Sequence, residues 1–270
     1  MALTRFQQTI CRLIAANRLE QGEAYVAGGV ALNLLTGGRR ISRDIDLFHD
    51  TLEALHATWQ ADRMLLEKNG YELRSIHERL GYVETMVGKG SDTVLMQWTR
   101  DSAFRFFPLV QHEEFGLVLH PFDLATNKVL ALAGRLEIRD WIDVVTCNQQ
   151  IQPLGYLAWA ACGKDPGFSP LAILQEAGRS GRYTTVELEG LCFDGPPPVL
   201  DDLLRQWHSM LREAREVVGI LPAEQAGMCV LHRHGGLYQE DSAQLRRDLK
   251  ADNIVFHQGS IRGAYPQISQ

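Results

Sequence analysis

Asp44 and Asp46, in the run Asp44-Ile45-Asp46-Leu47-Phe48, are the residues of this chain with the clearest chemical potential. In a β-strand side chains alternate faces, so the two aspartates project from one side while Ile45 and Leu47 enter the core. Two carboxylates so close repel each other, and a divalent cation between them relieves the repulsion; hard oxygen ligands suit Mg²⁺. Upstream, the short apolar run Tyr25-Val26-Ala27 meets Gly28-Gly29, and an apolar segment of helical length follows until Gly37-Gly38. Paired glycines at a strand-to-helix turn let backbone N–H groups approach an anion at the positive end of a helix. A lone D-x-D is usually a strand edge and a lone Gly-Gly usually a turn. The two in order, with a helix between them, form half of a nucleotidyl-transfer centre. Arg39, Arg40 and Arg43 lie in the connection. They read equally well as a solvated basic loop or as contacts to nucleotide phosphates or an RNA backbone, which guanidinium groups grip as a fork.

The elements that must position these residues follow from periodicity. A helix over 4–18 with Thr4 as N-cap carries Phe6, Ile10, Leu13 and Ile14 on one face. Strands at 24–27 and 44–48 bracket a helix at 30–36, and Thr51 caps a second amphipathic helix to about Asn69. Strand-like runs at 71–77, 82–87, 93–99 and 115–119 complete a mixed sheet with helices on one side, an α+β arrangement. Asp123 reads as the N-cap of a helix through Arg135, and residues 137–149 form another with Asp140 and Asp143 on one face. Beyond Gln152 the texture becomes helical and loop-rich, with a long helix over 200–218, one more over 222–233, and a β-like run at 253–257. The expected division is a mixed-sheet domain at 1–150, carrying the Gly-Gly and D-x-D motifs, and a mainly helical one at 151–270.

Composition narrows the class. With 270 residues, 45% hydrophobic and 22% charged, the chain has enough apolar material for one large or two modest folded domains. A net charge of −6 argues against a general nucleic-acid binder but leaves room for a local basic groove. No apolar run reaches the length of a membrane span, and the N-terminal residues lack the plan of a signal peptide. The five scattered cysteines include no C-x-x-C pair, so reduced thiols in a cytoplasmic protein are expected. His232-Arg233-His234 lacks a third ligand nearby and reads as a polar helix end rather than a metal site. There is no Walker A loop and no G-x-G-x-x-G turn.

Gly28-Gly29, a short helix, then Ser42-Arg43-Asp44-Ile45-Asp46-Leu47-Phe48 resembles the DNA polymerase β-type nucleotidyltransferase superfamily. More narrowly it resembles the AbiEii/AbiGii toxin branch of bacterial toxin–antitoxin and phage-defence systems. The block D-L-A-x-N-K ending at Lys128, followed by R-D-x-x-D ending at Asp143, resembles the same branch, so the similarity spans roughly residues 24–148. The resemblance implies an NTP donor such as ATP and Mg²⁺ held by Asp44 and Asp46 against the β- and γ-phosphates. It implies nucleotide contacts at Gly28, Gly29, Ser42 and Arg43, a phosphate counter-charge at Lys128, and an orienting role for Asp143. It also implies an RNA acceptor, such as a tRNA 3′ end, and a cognate antitoxin.

Two positions depart from the family pattern. Val30 stands where Ser or Thr usually follows the glycine pair, and Gln97 stands where a third strand carboxylate is usual. An amide cannot take a proton at neutral pH. Glu84 on the adjacent strand is a candidate substitute whose direction the sequence does not fix. Two other readings therefore stand beside the enzyme: a degenerate protein that binds nucleotide or RNA without turnover, and a transferase acting on a small hydroxylated molecule such as an antibiotic.

Overall fold

The computed structural model describes residues 3–180 and 183–267. Its first helix, α1 (Arg5–Gln21), opens on a capping box. Thr4 Oγ1 accepts from the Gln7 amide at 3.1 Å, and Gln7 Oε1 accepts from the Thr4 amide at 2.9 Å. Two N–H groups that a helix start leaves without partners are thereby satisfied. Next come β1 (Ala24–Ala27), α2 (Gly28–Thr36), β2 (Asp44–His49), α3 (Leu52–Lys68), β3 (Glu72–Arg79), β4 (Tyr82–Lys89) and β5 (Asp92–Arg100). The chain continues through β6 (Phe104–Arg105), β7 (Val110–His112) and β8 (Gly116–Val118).

β2 has a neighbour on each side. The sheet order is β3-β4-β5-β2-β1-β8-β7, with β2 antiparallel to β1 and parallel to β5. Every backbone group of an inner strand can thus enter a ladder, and one face can be closed off completely. The closed face carries Ile45, Leu47, Met96 and Trp98, all 0% exposed, beneath α1 and α3. Trp98 and Trp59 of α3 lie 4.6 Å apart between ring centroids. Burying a tryptophan in such a contact contributes on the order of a few kcal/mol. The α+β mixed sheet expected from the sequence is the fold observed.

The chain divides into two compact units. The first takes residues up to Ala103 together with Leu109–His120, and the second takes Phe104–Pro108 and the residues from Pro121 onward. The second unit contains α4 (Pro121–Arg135), α5 (Ile138–Gln150), α6 (Leu154–Ala161), α7 (Pro170–Ala177), α8 (Thr185–Glu189), α9 (Leu200–Ile220), β9 (Cys229–His232), α10 (Ser242–Lys250), β10 (Ile254–His257) and β11 (Ser260–Ile261). The position 150/151 read from the sequence as a boundary falls between α5 and α6, within this unit.

Two local expectations are corrected here. Asp123 is not an N-cap, because α4 begins at Pro121. Its buried carboxylate instead accepts from the Phe106 and Phe107 amides at 2.9 and 3.0 Å and pairs with Lys164 at 2.8 Å. These bonds, with the pairing of β6 to β11, explain why residues 104–108 belong to the second unit. The segment 222–233 is not a helix: a single 3-10 turn at Ala223–Gln225 gives way to β9, which pairs antiparallel with β10. Gly227, at φ +86°, makes the change of direction where an L side chain is strained.

Candidate active site

β2 sets the geometry. Its residues alternate half-exposed and buried from Asp44 to His49, so Asp44, Asp46 and Phe48 share the open face. α2 begins at Gly28, directly after β1, and its N-cap Ala27 offers no side-chain oxygen to the first-turn amides. The positive end of α2 is therefore bare of a side-chain cap of its own. Gly28 has φ +68°, and a Cβ built there would stand 1.9 Å from Asp46 Oδ2. A Cβ on Gly29 would stand 2.5 Å from Arg40 Nη2 and 2.9 Å from Ser42 Oγ. The glycine pair thus does more than free the backbone. It makes the space in which the Asp46 carboxylate, the Arg40 guanidinium and the Ser42 hydroxyl gather at the start of α2.

Four of the residues singled out by sequence, Gly28, Gly29, Ser42 and Asp46, are brought together here, and Asp44 lies two positions along the same strand face. Ser42 is fixed from behind, its carbonyl accepting from buried Gln7 Nε2 at 2.8 Å. Arg40 is buried against Gly29, which excludes the solvated-loop reading for that residue. Arg39 and Arg43 are exposed. Val30 is 0% exposed, so it serves the core, and a side-chain contact to nucleotide is not on offer there.

Strand register extends this face outward. Asp46 pairs with Gln97 on β5, Gln97 with Glu84 on β4, and Glu84 with His77 on β3. Directly paired residues share a face, so the four form a row across four strands. Gln97 Nε2 donates to Glu84 Oε1 at 3.0 Å, and the Tyr82 hydroxyl donates to the same oxygen at 3.0 Å. The Tyr82 hydroxyl is pushed up to about 12, by burial first, then by Glu84 and by the charges of Asp46 and Asp44. It remains a donor at all physiological pH. Trp98, next to Gln97, is buried on the other side, as alternation requires.

Lys128 and Asp143 meet in the second unit. Lys128 Nζ lies 2.8 Å from Asp143 Oδ2 and 3.0 Å from Asp140 Oδ1, and Arg135 binds Asp140 through two nitrogens at 2.6 and 3.0 Å. Both carboxylates are 0% exposed. Burial pushes the Asp140 carboxyl up, but the Arg135 hydrogen bonds and the Lys128 charge outweigh it and hold it below the usual range. Asp140 is thus the structural partner of Arg135, and it also shares Lys128 with Asp143.

Sequence reading missed the polar network behind the sheet. Arg18 and Asp62, each 0% exposed, form an ion pair, and Asp62 also accepts from Asn17 at 2.7 Å and from Trp98 Nε1 at 2.9 Å. His49, at the end of β2, is buried too; loss of water, first, lowers it to about 4, so it stays neutral. The signal was available only as a basic residue in the last turn of α1 and an acid among apolar positions of α3, which ordinary surface helices also show.

The donor set of the open face suits a magnesium ion. Two hard carboxylates project from one strand, and Asp46 sits in a cradle that a Cβ at position 28 would fill. Among the described residues no third His, Cys, Asp or Glu joins them to complete a protein cage. Magnesium commonly keeps one or two carboxylates and takes its remaining oxygens from water and phosphates. Among the described residues no helix is long and apolar enough to cross a membrane.

Neither a family model nor a curated protein matches this chain. Solved structures do. JHP933 from Helicobacter pylori aligns over 80% of this chain and 95% of its own at 16% identity, with a TM-score of 0.54, which marks a shared fold. A putative nucleotidyltransferase from H. pylori aligns over 78% and 94% at 15% identity, TM-score 0.49. MenT4, a nucleotidyltransferase toxin from Mycobacterium tuberculosis, aligns over 81% and 83% at 14% identity, TM-score 0.47.

Proposed function

We propose that this chain is a Mg²⁺-dependent nucleotidyltransferase that moves a nucleotide from an NTP to a hydroxyl acceptor. One observation carries the reading: Asp44 and Asp46 share the open face of β2, and the Asp46 carboxylate lies against Gly28 at the start of α2, where Ala27 supplies no side-chain cap. A cation site and an anion site therefore adjoin. That combination suits a metal-bound triphosphate and little else, because either charge alone would repel the other half of the site.

In this reading Asp44 and Asp46 hold the metal, which when bound offsets charge on the phosphates and polarises the phosphorus centre. The first-turn amides of α2, reached over Gly28 and Gly29, receive phosphate oxygens. Arg40 adds a fixed positive charge beside Gly29, Ser42 a hydroxyl donor, and Arg43 an exposed guanidinium for the nucleotide. The family resemblance gives Lys128 the part of neutralising developing phosphate charge and Asp143 that of orienting the nucleotide or acceptor; within the second unit the two are paired at 2.8 Å. Positioning and charge stabilisation of this kind supply most of the catalysis in phosphoryl-type transfer. The acceptor in this reading is an RNA, with a tRNA 3′ end the first candidate, and the setting is a toxin–antitoxin or phage-defence pair with a cognate antitoxin. These finer points rest on the AbiEii/AbiGii resemblance of Gly28-Gly29 and Ser42–Phe48.

The test is incorporation of each α-labelled NTP into total RNA with Mg²⁺, for the wild type and for Asp44→Asn/Asp46→Asn. Label entering RNA with the wild type alone is the expected result. Label entering a small hydroxylated molecule instead would move the acceptor class. Nucleotide binding without transfer to any acceptor would make the protein a binder, the reading that Gln97 favours.

A further inference from the structure

We infer that Glu84 is the proton acceptor of the transfer reaction, taking the place of the carboxylate that Gln97 lacks. The inference rests on the transfer reading above and adds a residue to it. Register places Glu84 on the same sheet face as Asp46, with Gln97 between them. At a strand spacing of about 4.8 Å, the Glu84 and Asp46 backbones stand roughly 10 Å apart. That separation spans the Gln97 side chain, over which an α-phosphorus and an attacking hydroxyl would lie, with Asp46 at one end of the row and Glu84 at the other. It also keeps Glu84 out of the metal's ligand set, in accord with the absence of a three-ligand cluster among the described residues.

The surroundings of Glu84 suit this part. Gln97 Nε2 and the Tyr82 hydroxyl both donate to Oε1, which fixes the carboxylate plane. Oε2 faces His77 Nε2 at 3.8 Å, beyond hydrogen-bond length, so a lone pair on that oxygen can receive a proton. Gln97 is then no relic of a lost acid but the amide that aims its neighbour. In the reaction the acceptor O–H bond breaks as the oxygen bonds the α-phosphorus. The proton passes to Glu84 Oε2, and the bond to the β-phosphate breaks with its electron pair leaving on pyrophosphate. Atoms and charge balance with the NTP and the hydroxyl as the only reactants.

The experiment measures Mg²⁺-dependent pyrophosphate release from NTP with total RNA, alongside calorimetric affinity for a non-hydrolysable NTP and a melting curve. Glu84→Gln keeps the shape and the Gln97 contact and should lower turnover ~100-fold or more, the usual share of a positioned base, at unchanged nucleotide affinity and melting. The exchanged pair Glu84→Gln/Gln97→Glu returns a carboxylate to the row one strand nearer Asp46 and should recover at least a tenth of the wild-type rate. A Glu84→Gln rate within threefold of an active wild type overturns the inference and leaves the transfer reading standing. An exchanged pair no faster than Glu84→Gln also overturns it. A wild type that binds no Mg²⁺-NTP and releases no pyrophosphate overturns both.

Discussion

Two pairs of carboxylates in this molecule have opposite surroundings. Asp44 and Asp46 stand half-exposed on an open strand face, where water or a mobile cation can reach them. Asp140 and Asp143 are sealed from water, and the chain supplies their cations itself through Lys128 and Arg135. Burying a carboxylate is tolerable only with a permanent partner, whereas an exposed one can exchange its partner for a ligand. The first pair is therefore suited to binding a metal ion, and the second to holding two helices and one lysine in a set geometry.

The contrast predicts different responses to substitution. Lys128→Met should have the largest effect, because it removes the ammonium group that pairs with two buried carboxylates. A loss of about 3–5 kcal/mol is expected for such a broken buried pair. In a chain of this size that is a fall of roughly 10 °C in melting temperature by calorimetry. A fall of only a degree or two would show that the cluster is solvated and would erase the comparison.

How much of this was legible beforehand follows from the range of each signal. The D-x-D face and the Gly-Gly turn were readable because alternation and the strand-to-helix break are local. The position of Glu84 was not, since it depends on the order β4-β5-β2, which no stretch of sequence encodes alone. For the same reason residues 222–233 were misread. Cys229-Val230-Leu231 is too short for its period to separate strand from helix, and its partner β10 begins more than twenty residues later. Asp123 resembled an N-cap because its true partners, the Phe106 and Phe107 amides, lie in another segment. The i, i+3 placement of Asp140 and Asp143 was visible, but not their complete burial.

The closed face of β2 gives the next effect. His49 has a folded pKa of about 4 against an ordinary 6.5, so folding favours its neutral form. The stability this provides is complete above pH 6.5 and is lost as pH falls toward 4, on the order of 3 kcal/mol in all. Melting temperature measured across that window should fall more steeply in the wild type than in His49→Gln. Parallel slopes would mean that His49 meets water in the folded protein.

Gly28→Ala comes third, as a link between the open pair and its helix. The φ of +68° and the 1.9 Å approach to Asp46 Oδ2 together call for a shift of the carboxylate or the turn. A cost of about 1–3 kcal/mol is expected, with loss of Mg²⁺-dependent nucleotide binding. Retained affinity in a less stable variant would separate the glycine's backbone role from the site.

The smallest effect on stability belongs to the residues that matter most for function. Asp44→Asn/Asp46→Asn acts on two half-exposed carboxylates and should change melting by no more than a degree or two. Calorimetric titration of the wild type and this double variant with a non-hydrolysable NTP, each with and without Mg²⁺, tests the central claim most directly. The account predicts Mg²⁺-dependent binding that disappears in the double variant while its melting temperature holds. Equal affinity in both proteins would contradict it and remove β2 from the nucleotide site.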